Sequence, residues 1–303
     1  MFSNEKIFGT LFANQIVVGI LGNSLLLYFY IFNFIHGHKG KPIDLILTHL
    51  SLMNVLLLLI KGMTRTVTLL GVRNFLGDIA CKTIVYLDRV FRSLSLCSMC
   101  LLSSFQAISI SLHSPMYTVL KTRAPKYIIP SFILCWILSL LIEGAIPIHM
   151  VTPPNSSSFR DNWNSDICTL TIYAMNTFNI ILWKTLYDSV WFGLTICNSI
   201  YIIFMMQKHH HQVLYIYSIS FTLRTSPEIR AVKTVTMLMN SFICFHLASS
   251  IFFVLYRSSQ TSSSWMLHVS SFMTGCFPTF CPFVLISSIS RYPRTCFFFS
   301  IME

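Results

Sequence analysis

Residues 7–32 read IFGTLFANQIVVGILGNSLLLYFYIF, a run without a single Asp, Glu, Lys or Arg. A helix needs about 20 mostly apolar residues to cross the hydrocarbon core of a bilayer. This run meets that length, so it decides the fold class. Glu5 and Lys6 precede it, and it is far longer than the apolar region of a cleavable signal peptide. Ile7 to Phe34 therefore reads as a retained signal anchor and first membrane span.

Six further stretches meet the same criterion. The predicted spans are roughly Ile7–Phe32, Ile43–Leu70, Ile84–Ile110, Tyr127–Ile148, Leu186–Met206, Val232–Tyr256 and Trp265–Ile289. The second is the least clean, because Lys61 and Arg65 interrupt its outer half. Lipid cannot satisfy backbone amides, so helices are expected, and no strand-like alternation argues for a barrel. The composition agrees. Only 10% of the 303 residues are charged, against about 25% in soluble domains. The fold class is an all-α membrane protein with a seven-transmembrane helix bundle. One domain is expected over residues 1–303, with a short cytoplasmic tail at 290–303.

The net charge of +11 does not indicate nucleic acid, because the basic residues sit in the gaps between apolar runs. They instead orient the chain. Seven spans put the termini on opposite sides. One set of connections holds Lys39, Lys41, Lys121, Arg123, Lys126, Lys208, Arg224, Arg230, Lys233, Arg291 and Arg294. The other holds the smaller group Lys6, Arg65, Arg73, Lys82, Arg160, Lys184 and Arg257. The richer side is cytoplasmic by the positive-inside rule, which leaves the N-terminus outside. Asn155-Ser156-Ser157 is a glycosylation sequon in a Ser-rich stretch between spans four and five, which this orientation places outside.

Most of the ten cysteines fall inside spans, namely Cys97, Cys100, Cys135, Cys197, Cys244, Cys276 and Cys281, where they read as small packing residues. Cys97-x-x-Cys100 has no second pair and is not read as a metal site. Cys81, at the outer end of span three, and Cys168, in the following outer loop, both lie where disulfides persist. A bridge between them would close a long loop and stabilise the fold by roughly 3–5 kcal/mol; two free thiols are the alternative. Cys296, beside Arg294, is a candidate for palmitoylation.

Seven helices, an outer N-terminus and a cysteine pair joining span three to the second outer loop describe the rhodopsin-like receptor plan. Gly22-Asn23 in span one, Asn54 in span two, Trp136 in span four and Pro282 in span seven fit it, with Asn23 and Asn54 as expected hydrogen-bonding partners. Phe105-Gln106-Ala107 replaces the usual Asp-Arg-Tyr, and Cys281-Pro282-Phe283-Val284-Leu285 replaces Asn-Pro-x-x-Tyr. Four stretches carry a closer likeness: Cys97 to Ser111 (CSMCLLSSFQAISIS), His210-His211-Gln212-Val213, Ser226 to Ala231 (SPEIRA) and Cys276 to Ile286 (CFPTFCPFVLI). Lys41-Pro42, His49-Leu50-Ser51-Leu52, Lys61-Gly62 and Asn74-Phe75-Leu76 add to it. Together they resemble the vomeronasal type-1 receptors, from span one to the end of span seven. The resemblance implies a G-protein-coupled chemosensory receptor in the plasma membrane of vomeronasal sensory neurons. It further implies a small pheromone-like ligand bound within the bundle, an inhibitory-class heterotrimeric G protein inside the cell, and no cofactor.

Span three carries Asp88, Arg89 and Arg92, and ionisable residues at this depth are functional candidates by default. Asp88 and Arg92 are spaced i, i+4 and can pair. Two arginines beside one Asp would leave that cluster cationic and favour neutral polar or anionic ligands over amines. Lys61 and Glu143 are further pocket candidates, although a lysine so placed can snorkel outward to the headgroups. Tyr187 and Asp188 open span five and complete the candidate ligand set. Gln106, Ser226, Pro227, Glu228 and Arg230 are the candidate G-protein-facing residues. Pro227 and Glu228 also form a credible helix start. His209-His210-His211 has no acid or cysteine nearby and reads as a solvated loop rather than a metal site. A bitter taste-type receptor and, from another class, a transporter are the competing readings. No repeat between the halves supports a transporter, and no phosphate loop, metal set or nucleophile triad supports an enzyme.

Overall fold

In a computed structural model of the chain, residues 2–36, 42–69, 78–110, 115–151, 162–165, 168–172, 174–216, 227–258 and 264–289 are described. Seven long helices dominate: α1 (Phe2–Ile35), α2 (Pro42–Leu69), α3 (Asp78–Ile110), α4 (Pro115–His149), α5 (Ala174–Ile216), α6 (Pro227–Ser258) and α7 (Ser264–Ile289). Each contains a segment long and apolar enough to cross a membrane: Gly9–Ile35, Pro42–Thr64, Lys82–Ile110, Lys126–Gly144, Thr185–Lys208, Val232–Leu255 and His268–Ser287. All seven expected spans are present. Several helices overrun them, because an apolar run marks only the part that needs lipid, while the backbone ladder continues into the interface.

Two features depart from expectation. The His209–His211 tract lies within the last turns of α5, not in a loop. The segment between α4 and α5 carries a small antiparallel sheet of β1 (Met150–Val151), β2 (Asn162–Ser165) and β3 (Cys168–Ile172), in the order β1-β3-β2. Its registers pair Ser165 with Cys168 and Met150 with Ile172. Only residues 166 and 167 separate β2 from β3, a separation that matches a two-residue hairpin connection. Such short strands carry too few residues to show a period in the sequence.

The helices turn large apolar side chains outward. Leu21, Leu25, Tyr28, Ile129, Leu141, Ile200, Phe204 and Val254 are all exposed, as a lipid-facing surface requires. Cys197 and Cys244 share this outer surface, whereas Cys97, Cys100, Cys135 and Cys281 are buried packing residues as expected. Helix α3 is central and contacts α2, α4, α5 and α6, while α1 and α7 close the bundle against each other. One apolar core joins Leu26, Ile46, Met99, Ile202, Leu238, Phe242 and Leu285 from six helices. A second cluster of Met53, Val90, Leu94, Cys97 and Cys135 binds α2, α3 and α4 together.

Buried and half-buried polar groups connect these layers. Pro282 lacks the N–H that would pair with the Pro278 carbonyl one turn earlier in α7. Asn23 fills the gap, its Nδ2 donating to the Pro278 carbonyl at 2.8 Å and to the Gly19 carbonyl at 2.7 Å. Asn54 Nδ2 in turn donates to Asn23 Oδ1 at 3.3 Å, the pairing expected from sequence. On the other side of the bundle, the Trp136 indole donates to His49 Nε2 at 3.0 Å. Indole is only a donor, so His49 Nε2 accepts and the ring proton sits on Nδ1. That nitrogen faces Ser98 Oγ at 2.8 Å, and Ser98 donates onward to the Leu94 carbonyl at 2.7 Å. Phe132 stacks on the same imidazole at 4.2 Å. His49 thereby ties α2, α3 and α4 into one unit.

Close helix approach also depends on missing side chains. A Cβ on Gly22 would stand 2.8 Å from Pro282 Cγ, and one on Gly19 would stand 2.6 Å from Leu58 Cδ1. By contrast, a Cβ on Gly193 would meet nothing within 4 Å. Gly22→Leu is expected to destabilise the protein by about 1–3 kcal/mol through overpacking. Thermal unfolding of the protein in lipid nanodiscs should show a lowered midpoint for Gly22→Leu and little change for Gly193→Ala. Equal effects of the two substitutions would contradict the α1–α7 packing described.

Candidate ligand site within the bundle

The helices alternate in direction, so the C-terminal parts of α2 and α4 and the N-terminal parts of α3, α5 and α7 share the end that bears the sheet. Six of the seven residues singled out as ligand-binding candidates are charged, and all of these lie in those parts of α2, α3, α4 and α5. Arg92 Nη2 donates to Asp88 Oδ2 at 2.8 Å, the expected i, i+4 pair. The pair is not sealed: 45% of the Arg92 side chain and 25% of the Asp88 side chain remain accessible. Asp88 also feels the charges of Lys61 and Arg89. Arg92 feels those of Asp188 and Glu143. Arg89 feels the charges of Glu143, Asp88 and Asp188, and Glu143 is fully buried.

This arrangement corrects two expectations. Lys61 does not turn outward. Its ammonium donates to the Ser271 carbonyl of α7 at 3.4 Å, within the field of Asp88. Snorkelling would give the ammonium water, but an opposing carboxylate and an inward carbonyl supply an alternative inside the bundle. Among the described residues, the cluster is also not cationic once its neighbours are included. There Lys61, Arg89 and Arg92 interact with Asp88, Glu143 and Asp188, three positive groups with three negative ones. Glu143 and Asp188 lie far from Asp88 in sequence, which hid this balance.

Tyr187 is positioned differently from Asp188. Its hydroxyl lies 3.6 Å from Cys97 Sγ, and its ring meets Trp191 edge-on at 6.0 Å. Ser93 and Ser139 join α3 to α4 at 3.0 Å close by. Tyr187 and Asp188 stand at the start of the apolar stretch Thr185–Lys208, as expected, although α5 itself begins at Ala174, and the Tyr187 hydroxyl reaches the middle of α3.

Other expected site residues lie elsewhere. Gln106 is buried near the opposite end of α3. Pro227 starts α6 as predicted, with Glu228 and Arg230 in its first turn, also at the end away from the sheet. Cys81 lies in α3 and Cys168 starts β3, but their side chains are outside the described residues, as are Asn155 and Ser226 altogether. Among the described residues, no group of three or more His, Cys, Asp or Glu is placed to hold a metal ion.

Relatives of known sequence give this geometry a context. Residues 6–298 match the vomeronasal organ pheromone receptor family. The chain is 34% identical over 300 residues to human vomeronasal type-1 receptor 3, covering 97% of this chain and 94% of the relative. It is 33% identical over 290 residues to human vomeronasal type-1 receptor 2, covering 93% of this chain and 72% of the relative. A more distant likeness, 28% over 286 residues, links it to the zebrafish (Danio rerio) olfactory receptor class A-like protein 1, covering 92% of this chain and 88% of the relative.

The balanced cluster makes a specific prediction. Asp88→Asn leaves an excess positive charge and should lower stability by about 1–2 kcal/mol, between the costs of breaking exposed and buried pairs. Adding Arg92→Gln restores the balance and should recover part of that loss. A double-mutant cycle read by thermal unfolding checks this; strictly additive losses would mean that the two charges are not coupled.

Proposed function

The chain belongs to the vomeronasal type-1 receptor family, and from that premise we propose that a small organic ligand docks among Lys61, Asp88, Arg89, Arg92, Glu143, Tyr187 and Asp188. A multi-pass chemosensory receptor coupled to a G protein follows from family membership and the seven spans. The family is one of receptors, not enzymes. The observation that carries the ligand site is the accessible Asp88–Arg92 pair held among charges from α2, α4 and α5. Intramembrane charges are costly unless they face partners or a cavity. Their equal numbers support neutral ligands with hydrogen-bonding groups over strongly cationic amines.

The sheet end of the bundle is extracellular in this reading, and the start of α6 faces the cytoplasm. The Lys/Arg bias and the Asn155 sequon support this orientation. Cys81 and Cys168 form a disulfide that ties β3 to α3 above the ligand. Gln106, Ser226, Pro227, Glu228 and Arg230 then lie on the side that engages the G protein, which family resemblance assigns to the inhibitory class. Ligand acts by population shift: it binds the active bundle arrangement more tightly and raises its share. The plasma membrane of vomeronasal sensory neurons is the corresponding location. The residues 1–303 act as a single receptor domain, with 290–303 as its cytoplasmic tail.

Two measurements check the proposal. In cells with a promiscuous G-protein reporter and verified surface delivery, urinary and steroid-type odorant fractions should elicit a response. Cys81→Ala should abolish it, and Arg92→Ala should change its potency by about tenfold or more, as expected for a lost hydrogen bond to a charged group. A panel in which only amines act would refute the charge argument. In the same cells, Asn155→Gln should remove a glycan and increase gel mobility; an unchanged, glycosidase-insensitive band would remove the glycan support for the orientation.

A further inference from the structure

Four rings of α5, α6 and α7 lie beside the charged cluster. Asp188 and Phe192 are i, i+4 on α5, so they form a row along one helix face about 6 Å long. Tyr187 and Trp191 form the neighbouring row, and Tyr187 turns to Cys97 of α3. The Phe192 end of the first row meets α6 instead, its ring lying 4.7 Å from the His246 imidazole with an interplanar angle of 39°. Phe242, one turn before His246, lies nearly parallel to that imidazole at 5.8 Å and 19°. Phe277 of α7 meets Phe242 edge-on at 4.8 Å.

The four rings differ in burial. Phe242 and Phe277 are buried and form a closed floor, whereas Phe192 and His246 are only half-buried at the α5–α6 seam. That seam is thin, since α6 rests far more extensively on α7 than on α5. Hydroxyl bonds reinforce the α6–α7 side: Ser249 Oγ lies 2.7 Å from Thr274 Oγ1, and Ser270 donates to the Ser249 carbonyl at 2.8 Å. The half-buried rings therefore lie at the looser side of α6, with Phe192 one helical turn from Asp188 and the charges that interact with it.

We propose that Phe192 and His246 form an aromatic slot for the ring body of the ligand, with Phe242 and Phe277 as its floor. This rests on the ligand site proposed above and extends it along α5. The matching ligand class is a compact, flat ring compound carrying one hydrogen-bonding group. The ring stacks against Phe192 and His246, where offset and edge contacts favour π surfaces over flexible chains. The polar group points toward Asp188, Arg92 and Asp88. A linear chain of equal carbon number would lose rotamer freedom without gaining the aromatic contact.

The full-length receptor in lipid nanodiscs tests this with 2-naphthol and 1-decanol, which share carbon number and a single hydroxyl. Binding is read as the concentration dependence of the thermal midpoint. The wild type should bind 2-naphthol. Phe192→Leu with His246→Leu keeps apolar volume but removes both ring faces, and should weaken 2-naphthol by about tenfold. His246→Phe retains a ring and should preserve binding, and any effect of 1-decanol should be the same in every variant. No 2-naphthol binding by the wild type, or binding unaffected by the two leucines, overturns the slot. If the double leucine variant fails to fold, Phe192→Leu alone carries the same expectation at a smaller loss, and an unchanged affinity there overturns the slot equally. A receptor that answers the odorant fractions through Arg92 but ignores 2-naphthol keeps its polar site and loses the slot. One that binds 2-naphthol through the slot while Arg92→Ala leaves the reporter response unchanged does the reverse.

Discussion

A bilayer offers no water to a peptide group, and every other feature of this molecule is arranged around that constraint. It selects helices, and it requires a neighbour to satisfy each interruption of a helix. The Pro278 carbonyl, left without its usual donor by Pro282, receives the Asn23 amide from α1. Asn23 then receives a donor from Asn54 of α2. A local defect in one helix has thus become the contact that joins three. The close α1–α7 approach depends on the same region, because Gly22 leaves room for the Pro282 ring.

The same scarcity of solvent explains how the bundle treats side chains. His49 accepts from Trp136 and faces Ser98, so its polar edges are used up in joining α2, α3 and α4. Lys61 reaches a carbonyl of α7 instead of the interface. Among the described residues, the charges around Asp88 and Arg92 come from four helices and balance in number. Yet the Asp88–Arg92 pair stays partly accessible where Asn23 and Asn54 are fully buried. This contrast between buried and accessible polar groups supports the proposed division: the buried Asn23–Asn54 pair holds helices in place, and the accessible pair serves the proposed ligand site.

Family membership gives that contrast a biological setting. In a chemosensory receptor the ligand must influence how helices sit against one another, and the proposed site, whose charges belong to different helices, would couple the two directly. The packing is uneven in a way that suits this. Helix α6 is joined to α7 by a cluster of hydroxyl bonds, while its contacts with α5 include weak ones through sulfur, Ser199 to Met239 at 3.7 Å and Thr236 to Met206 at 3.9 Å.

Composition and apolar run length by themselves determined that this chain crosses a membrane seven times, because crossing lipid is a requirement each segment meets alone. The Asn23–Asn54 pairing, the Pro227 helix start and the Asp88–Arg92 ion pair were also legible. The first matches a receptor landmark, and the other two follow from local helix chemistry and fixed helical spacing. The tertiary structure decided the rest. It turned Lys61 inward, balanced the cluster with Glu143 and Asp188, set Tyr187 against Cys97 and laid a small sheet between α4 and α5. Each of these depends on which helix lies beside which, and on the rotation of each about its own axis. Helices that are apolar on nearly every face, as lipid permits, carry little in their own periodicity to record either.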